Sequence, residues 1–285
     1  MPVAIDQACQ RRQKDDEGNF YRMIAGQGPR SNFQSTTQGF YIATAAGKLL
    51  LYNNNRDPKK LLRLMRERLR ECELGAHAFD RDQVKAELRK NANGKRDARY
   101  ALKPPSGGLV VRVHAKVLGG YPKPSSENAA VFQNALARDN LWITAEEQST
   151  LIAGRFPETL QVRIARFHLV DNTRGEPPMW KPEEIRSLKM QLRNGKIAGS
   201  VHLETDDESR GYQAELRGHV LSSGTMITGF ELVALGKFLG EGTYTRNAPD
   251  GRFPLAVTFQ LADGNDVADA VAPQGARGWL EGYLR

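Results

Sequence analysis

After Pro182 the apolar residues of the strand-like stretches switch to a period of two, and this alternation constrains the chain more than any other feature. Leu188, Met190 and Leu192 alternate with polar residues. Asn194-Gly195 follows, the dipeptide favoured in two-residue hairpin turns because both positions need positive φ. The return strand sets Ile197, Val201 and Leu203 on one face. Further strands are predicted over Tyr212–Val220, from Met226 to about Leu239, and over Leu255–Leu261. Five strands joined by short turns, each apolar on one side, specify an antiparallel meander with one buried face. Earlier in the chain Leu109–Leu118 alternates in the same way, with Val111, Val113, Ala115 and Val117 opposite Arg112, His114 and Lys116. The sheet is therefore expected to have five or six strands.

Helical signals surround these strands. Asp57-Pro58 places a capping acid before a proline at the first helical position, and Leu62, Met65, Leu69 and Cys72 then form one stripe that Gly75 stops. A charged helix is predicted over Asp80–Lys90, ended by Asn91-Ala92-Asn93-Gly94-Lys95. Ser126 is expected to cap a helix ending near Arg138, Thr144-Ala145-Glu146-Glu147 to open a short one as a capping box, and Pro157 to start a third with Leu160, Ile164 and Phe167 inward. Near the N-terminus, residues 6–27 read as helix, and Gly39–Thr44 with Lys48–Tyr52 as a β-hairpin. The tail from Asp263 is loop-rich, with Trp279, Tyr283 and Leu284 as anchors.

Lys103-Pro104-Pro105-Ser106-Gly107-Gly108 is the clearest linker, and the charge balance changes there. Residues 1–103 carry 21 basic and 12 acidic side chains; residues 104–285 carry 20 and 21. Two domains are expected, 1–103 and 104–285, in an α+β chain: a small basic α/β unit, then helices packed on an antiparallel sheet. The excess positive charge invites a nucleic-acid contact. Against that, Glu67, Glu71, Glu73, Asp80, Asp82 and Glu87 interrupt the basic run at helical pairing distances, which favours a solvated helical face. No apolar run approaches the ~18 residues that cross a bilayer. Two cysteines among 285 residues exclude a disulfide scaffold. The opening Met1-Pro2-Val3-Ala4-Ile5-Asp6 has no signal-peptide pattern, so the chain as given reads as cytoplasmic, or as exported if a segment lies upstream.

Four constellations are candidates for chemistry. Cys9 sits near a predicted helix start beside Arg11 and Arg12, a setting that lowers a thiol pKa, although no CxxC is present. Cys72 reads as a buried, inert thiol. His202 and His219 project from adjacent predicted strands, so pairing would bring two imidazoles together; a metal site there, joined by His168, stands against a solvated mixed-charge face. His168, Asp171, Arg174, Glu176 and Trp180 crowd the point where a helix meets a Pro-rich loop, either as a ligand-binding or proton-transfer cluster or as a clasp in which Arg174 pairs Glu176 or Asp171. The Gly- and polar-rich loop Gly240–Arg252, with Glu241, Tyr244 and Arg246, is placed to line a pocket at a sheet end. It has no GxGxxG or P-loop pattern.

Two stretches resemble known families. The order strand, tight turn, strand and terminal helix from Thr36-Thr37-Gln38-Gly39-Phe40-Tyr41 through Gly47-Lys48-Leu49-Leu50 to the helix from Asp57 resembles the C-terminal half of a thioredoxin-like domain. The stretch Arg163–Pro178, with the Gly240-Glu241-Gly242-Thr243 loop and Gly251-Arg252-Phe253-Pro254-Leu255, resembles an uncharacterised bacterial family of planctomycete type. That resemblance implies a thioredoxin-like front end joined to a β-rich back end, often exported. It assigns no activity. The leading expectation is a binding or accessory protein without a cofactor, taking a small molecule or protein partner in a polar pocket near the 168–180 and 240–252 loops. The alternatives are a thiol-dependent oxidoreductase using Cys9 and a metal-dependent enzyme using the histidines.

Overall fold

The computed structural model describes residues 5, 7–71, 86 and 102–285. Cys72, His77, the helix expected over Asp80–Lys90 and the break after it lie outside the described residues. The chain divides into two compact units, Met1–Leu102 and Lys103–Arg285.

In the first unit, a single helix over 6–27 gives way to α1 (Gln7–Gln10) and α2 (Asp16–Gly26). The break has a local cause: Asp15 caps α2 by accepting the Gly18 amide, and a Cβ at Gly18 would meet the Gln13 carbonyl oxygen at 2.2 Å. Arg22 then ties the two pieces together by donating to the carbonyls of Gln10, Arg11 and Gln13. The expected hairpin forms as β1 (Phe40–Ala43) and β2 (Leu49–Asn53), joined through Gly47 at φ 83°. Gln27 fastens it to α2, donating to the Gly47 carbonyl at 2.7 Å and accepting the Leu49 amide at 3.1 Å. Helix α3 (Pro58–Glu71) packs against β2.

The second unit is built on a seven-stranded antiparallel sheet in the order β4-β3-β9-β8-β7-β6-β5. Its strands are β3 (Leu109–Val117), β4 (Ala137–Ile143), β5 (Ile185–Arg193), β6 (Lys196–Glu204), β7 (Gly211–Ser223), β8 (Met226–Leu239) and β9 (Arg252–Leu261). The meander is present as read, and β3 joins it beside β9. Asn194 and Gly195 take φ 49° and 72°, the geometry of the expected two-residue turn. Strand β4 is the addition. The helix expected to run from Ser126 to Arg138 is α4 (Glu127–Gln133), and the chain re-enters the sheet four residues later. Here the run Leu141-Trp142-Ile143 is fully buried, and its edge position against β3 outweighs any helical continuation.

The sheet curls. Helices α5 (Ala145–Ile152) and α6 (Glu158–Arg163) lead into a π-helical turn, Ile164–His168, and that turn touches both β4 and β5, the two edge strands. Strand glycines permit close neighbours along the curl: a Cβ at Gly218 would lie 2.1 Å from the Glu231 carbonyl oxygen, and one at Gly236 1.9 Å from that of Gln213. Leu160, Ile164 and Ala165 are completely buried in the enclosed space with Trp142, Tyr212, Phe230 and Leu255. The helical segment also hydrogen-bonds both edges. Gln161 Oε1 accepts the Met190 amide of β5 at 3.0 Å, and Arg163 Nη1 donates to the Trp142 carbonyl of β4 at 3.0 Å. An open edge strand would otherwise expose unpaired amides and carbonyls.

Arg163 is 1% exposed and each of its three guanidinium nitrogens donates a hydrogen bond. Besides Trp142 it bonds Glu147 at 2.6 Å, the Tyr283 carbonyl at 2.7 Å and the Leu284 carbonyl, so it anchors the terminal helix α7 (Leu280–Leu284). Glu147 belongs to the predicted capping box with Thr144 and also accepts from Thr159 at 2.6 Å. Arg112 of β3 and Arg138 of β4 hold the 263–270 loop through Asp269, with Arg112 donating to both Asp269 oxygens at 2.8 Å. These hydrogen bonds from Arg112 hold the Asp269 carboxyl below its ordinary value.

Two outcomes follow. Removing the buried cation strands the Glu147 carboxylate, so Arg163→Ala is expected to lower the unfolding free energy by about 3–5 kcal/mol in urea titration; a loss under about 1 kcal/mol would contradict this network. Asp269 binds its proton less readily folded than unfolded. Its contribution is therefore complete above an unfolded carboxylate pKa of ~3.9 and is lost as pH falls through the depressed folded value. Melting curves of the parent and Arg112→Gln are expected to differ at neutral pH and to draw together as the pH falls below the unfolded carboxylate value of ~3.9; a gap that does not narrow with falling pH refutes the assignment.

Candidate functional site

The loops before β5 and between β8 and β9 meet beyond the sheet ends and leave a cleft of about 670 Å³. Its lining is Glu176, Pro177 and Pro178 on one side and Glu241, Gly242, Thr243, Tyr244 and Arg246 on the other. Two glycines let the walls approach. A Cβ at Gly175 would sit 2.1 Å from the Tyr244 carbonyl oxygen, and one at Gly242 2.4 Å from Pro178 Cδ. The Tyr244 ring stands 73% exposed over the cleft.

Each wall is held from beneath. Arg174, with its side chain 4% exposed, pairs with Asp171 through Nη2 at 2.6 Å and Nε at 3.2 Å. It also donates to the Thr245 carbonyl and lies 3.9 Å from Glu241. Asp171 is saturated by Thr173, whose amide and hydroxyl donate at 3.0 and 2.6 Å. Thr245 in turn accepts the Gly242 amide at 2.7 Å, closing a tight turn. On the other side Arg210 stacks its guanidinium 3.8 Å from the Trp180 ring centre and donates to the Pro178 carbonyl at 2.7 Å. Burial pushes the Arg210 guanidinium below its ordinary pKa, opposed by nearby Glu184.

The residues singled out in sequence therefore separate. Glu176, Glu241, Tyr244 and Arg246 face the cleft. Asp171 and Arg174 are the clasp below it, with Arg174 pairing Asp171 rather than Glu176. Trp180 is 1% exposed, its indole N–H donating to the Leu169 carbonyl at 2.8 Å, and it faces the core. His168 is also in the core: Nε2 lies 2.8 Å from the Tyr283 hydroxyl and Nδ1 3.3 Å from Asp139, but outside hydrogen-bonding alignment. Burial drives the Tyr283 hydroxyl well above its ordinary pKa. This Asp139–His168–Tyr283 group brings β4, the π-turn and α7 together, and none of the three lines the cleft between the loops.

The imidazole pair does not form. In the β6–β7 register His202 faces Gln213 and His219 faces Lys196, six positions further along. At ~3.3 Å per residue they are roughly 20 Å apart. His202 contacts Gln213 and Glu204, His219 contacts Glu231, and His168 lies within the core. Among the described residues no three histidine, cysteine or acidic side chains are grouped to hold a metal ion. His114 lies on β3, where burial and then Arg138 and Arg112 lower its pKa. Cys9 is a half-buried thiol on α1, a helix of only four residues and too short to supply much dipole. A second hollow of about 580 Å³ in the first unit, bordered by Arg30, Thr36, Tyr52 and Asn54, had no signal in the sequence beyond a polar loop.

The clasp and the lining are separable by mutation. Arg174→Ala leaves a buried carboxylate at Asp171 and is expected to cost about 3 kcal/mol in urea unfolding, whereas Glu241→Gln, on an exposed side chain, stays within about 0.5 kcal/mol. Equal losses from the two variants would mean that Glu241 belongs to the clasp.

The chain matches no protein-family model, no curated protein and no solved structure.

Proposed function

We propose that the protein is a non-catalytic binding module whose ligand seats in the cleft between the 176–178 and 241–246 loops. The observation that carries this reading is the clasp. Buried Arg174 and Arg210 hold both loops in place, while Glu176, Glu241, Tyr244 and Arg246 are left exposed at the rim. Preformed clefts with a few convergent polar groups are where small ligands bind most often. The two carboxylates favour a ligand amine, the Tyr244 ring favours a flat or cationic group above it, and Arg246 takes an acceptor. The ligand class that fits is a small molecule or peptide end carrying an amine beside an apolar face.

Thioredoxin-like kinship of the first unit remains part of the proposal, supported by the order β1, β2, α3. Kinship of the second with the planctomycete-type family rests on the Arg163–Pro178 and Gly240–Leu255 stretches.

The test is titration of the isotope-labelled chain with lysine-containing dipeptides and with amino sugars, following amide resonances. Saturable shifts confined to Gly242, Thr243, Tyr244 and Arg246, and abolished in Tyr244→Ala, are expected from at least one of the two classes. Shifts that are absent with both, or that survive in Tyr244→Ala, would overturn the reading.

A further inference from the structure

Helix α3 carries a charge pattern that the cleft does not use. Its 14 residues, PKKLLRLMRERLRE, include six basic and two acidic side chains. At 100° per residue Lys59, Arg63, Arg66 and Arg70 fall in one row, at spacings of four, three and four. Beside that row, two turns apart on one line, stand Leu62 and Leu69, exposed by 47% and 50%. Leu61, Leu64 and Met65 continue the arc and are half-buried, on a helix that packs against β2, with Arg68 on the line of Leu61. Part of the apolar arc therefore serves the fold, and its other margin meets solvent directly alongside the cations. The Arg63–Glu67 contact, at 3.8 Å with both side chains more than half exposed, is too weak to neutralise Arg63.

We propose that this margin of α3 docks on an anionic phospholipid surface. The chemistry matches on both counts. Negative headgroups meet the basic row, and the two leucines enter the headgroup–acyl boundary, where an interfacial amphipathic helix places its apolar side. A nucleic-acid backbone would satisfy the cations and leave both leucines in water. The helix lies on the surface; no described helix is long and apolar enough to cross a membrane.

The experiment is flotation of the full chain with vesicles of phosphatidylcholine alone and of phosphatidylcholine with phosphatidylserine. Binding to the mixed vesicles only, weakening as salt rises, is expected. Leu62→Ser/Leu69→Ser keeps the charge and is expected to weaken binding about tenfold or more, because the hydrocarbon is lost. Arg63→Gln/Arg66→Gln is expected to weaken it at low salt. Both pairs are exposed, and circular dichroism checks that the variants remain folded. No binding to mixed vesicles overturns the proposal, as does vesicle binding that the serine pair leaves unchanged. Binding to duplex DNA that is tighter than to vesicles and indifferent to the serine pair would assign the row to nucleic acid instead.

Discussion

A sheet that curls without closing leaves two open edges, and here one helix hydrogen-bonds to both. Gln161 accepts from β5 and Arg163 donates to β4, two residues apart on α6. The same segment fills the enclosed space with Leu160, Ile164 and Ala165. Arg163 extends the link to Glu147 and the terminal helix, so the capping box of α5, the sheet edge and α7 share one buried cation. A buried ion pair is weak evidence of net stability, but losing one member of it is costly. The arrangement therefore fixes which elements surround the helix more than it adds stability.

The cleft depends on that frame. Its loops leave the π-turn and the ends of β8 and β9, so they start from fixed points. Arg174 and Arg210 repeat on a smaller scale what Arg163 does in the core: each buries a guanidinium and spreads its donors over backbone carbonyls and a carboxylate. Ordering the loops before a ligand arrives lowers the entropic cost of binding. Exposed side chains on an ordered rim can then act without helping to hold the fold.

The strands from Ile185 to Leu261 were legible because alternation and turn chemistry agree at every step, most clearly at Asn194-Gly195. Strand β4 was not, since Leu141-Trp142-Ile143 is a short continuous run whose partner, β3, lies some thirty residues away. The cleft loops showed themselves through glycine, proline and exposed charge. The role of Arg174 was half legible: an arginine three residues after an aspartate announced a clasp, but not that Thr245 would join it. The Arg163 hub left no local signal, because its partners stand 16, 21 and 120 residues away in sequence. His202 and His219 misled for a related reason. Strand identity was readable, whereas the offset between them depends on the register, which the turn geometry sets.

The most direct test of the account is native mass spectrometry of the chain as purified, beside a Glu241→Gln/Tyr244→Ala variant. A non-covalent ligand mass is expected on the parent, shed by the variant while it keeps its folded charge-state distribution. A bare parent, or a mass that the variant retains, would contradict a binding role for the cleft.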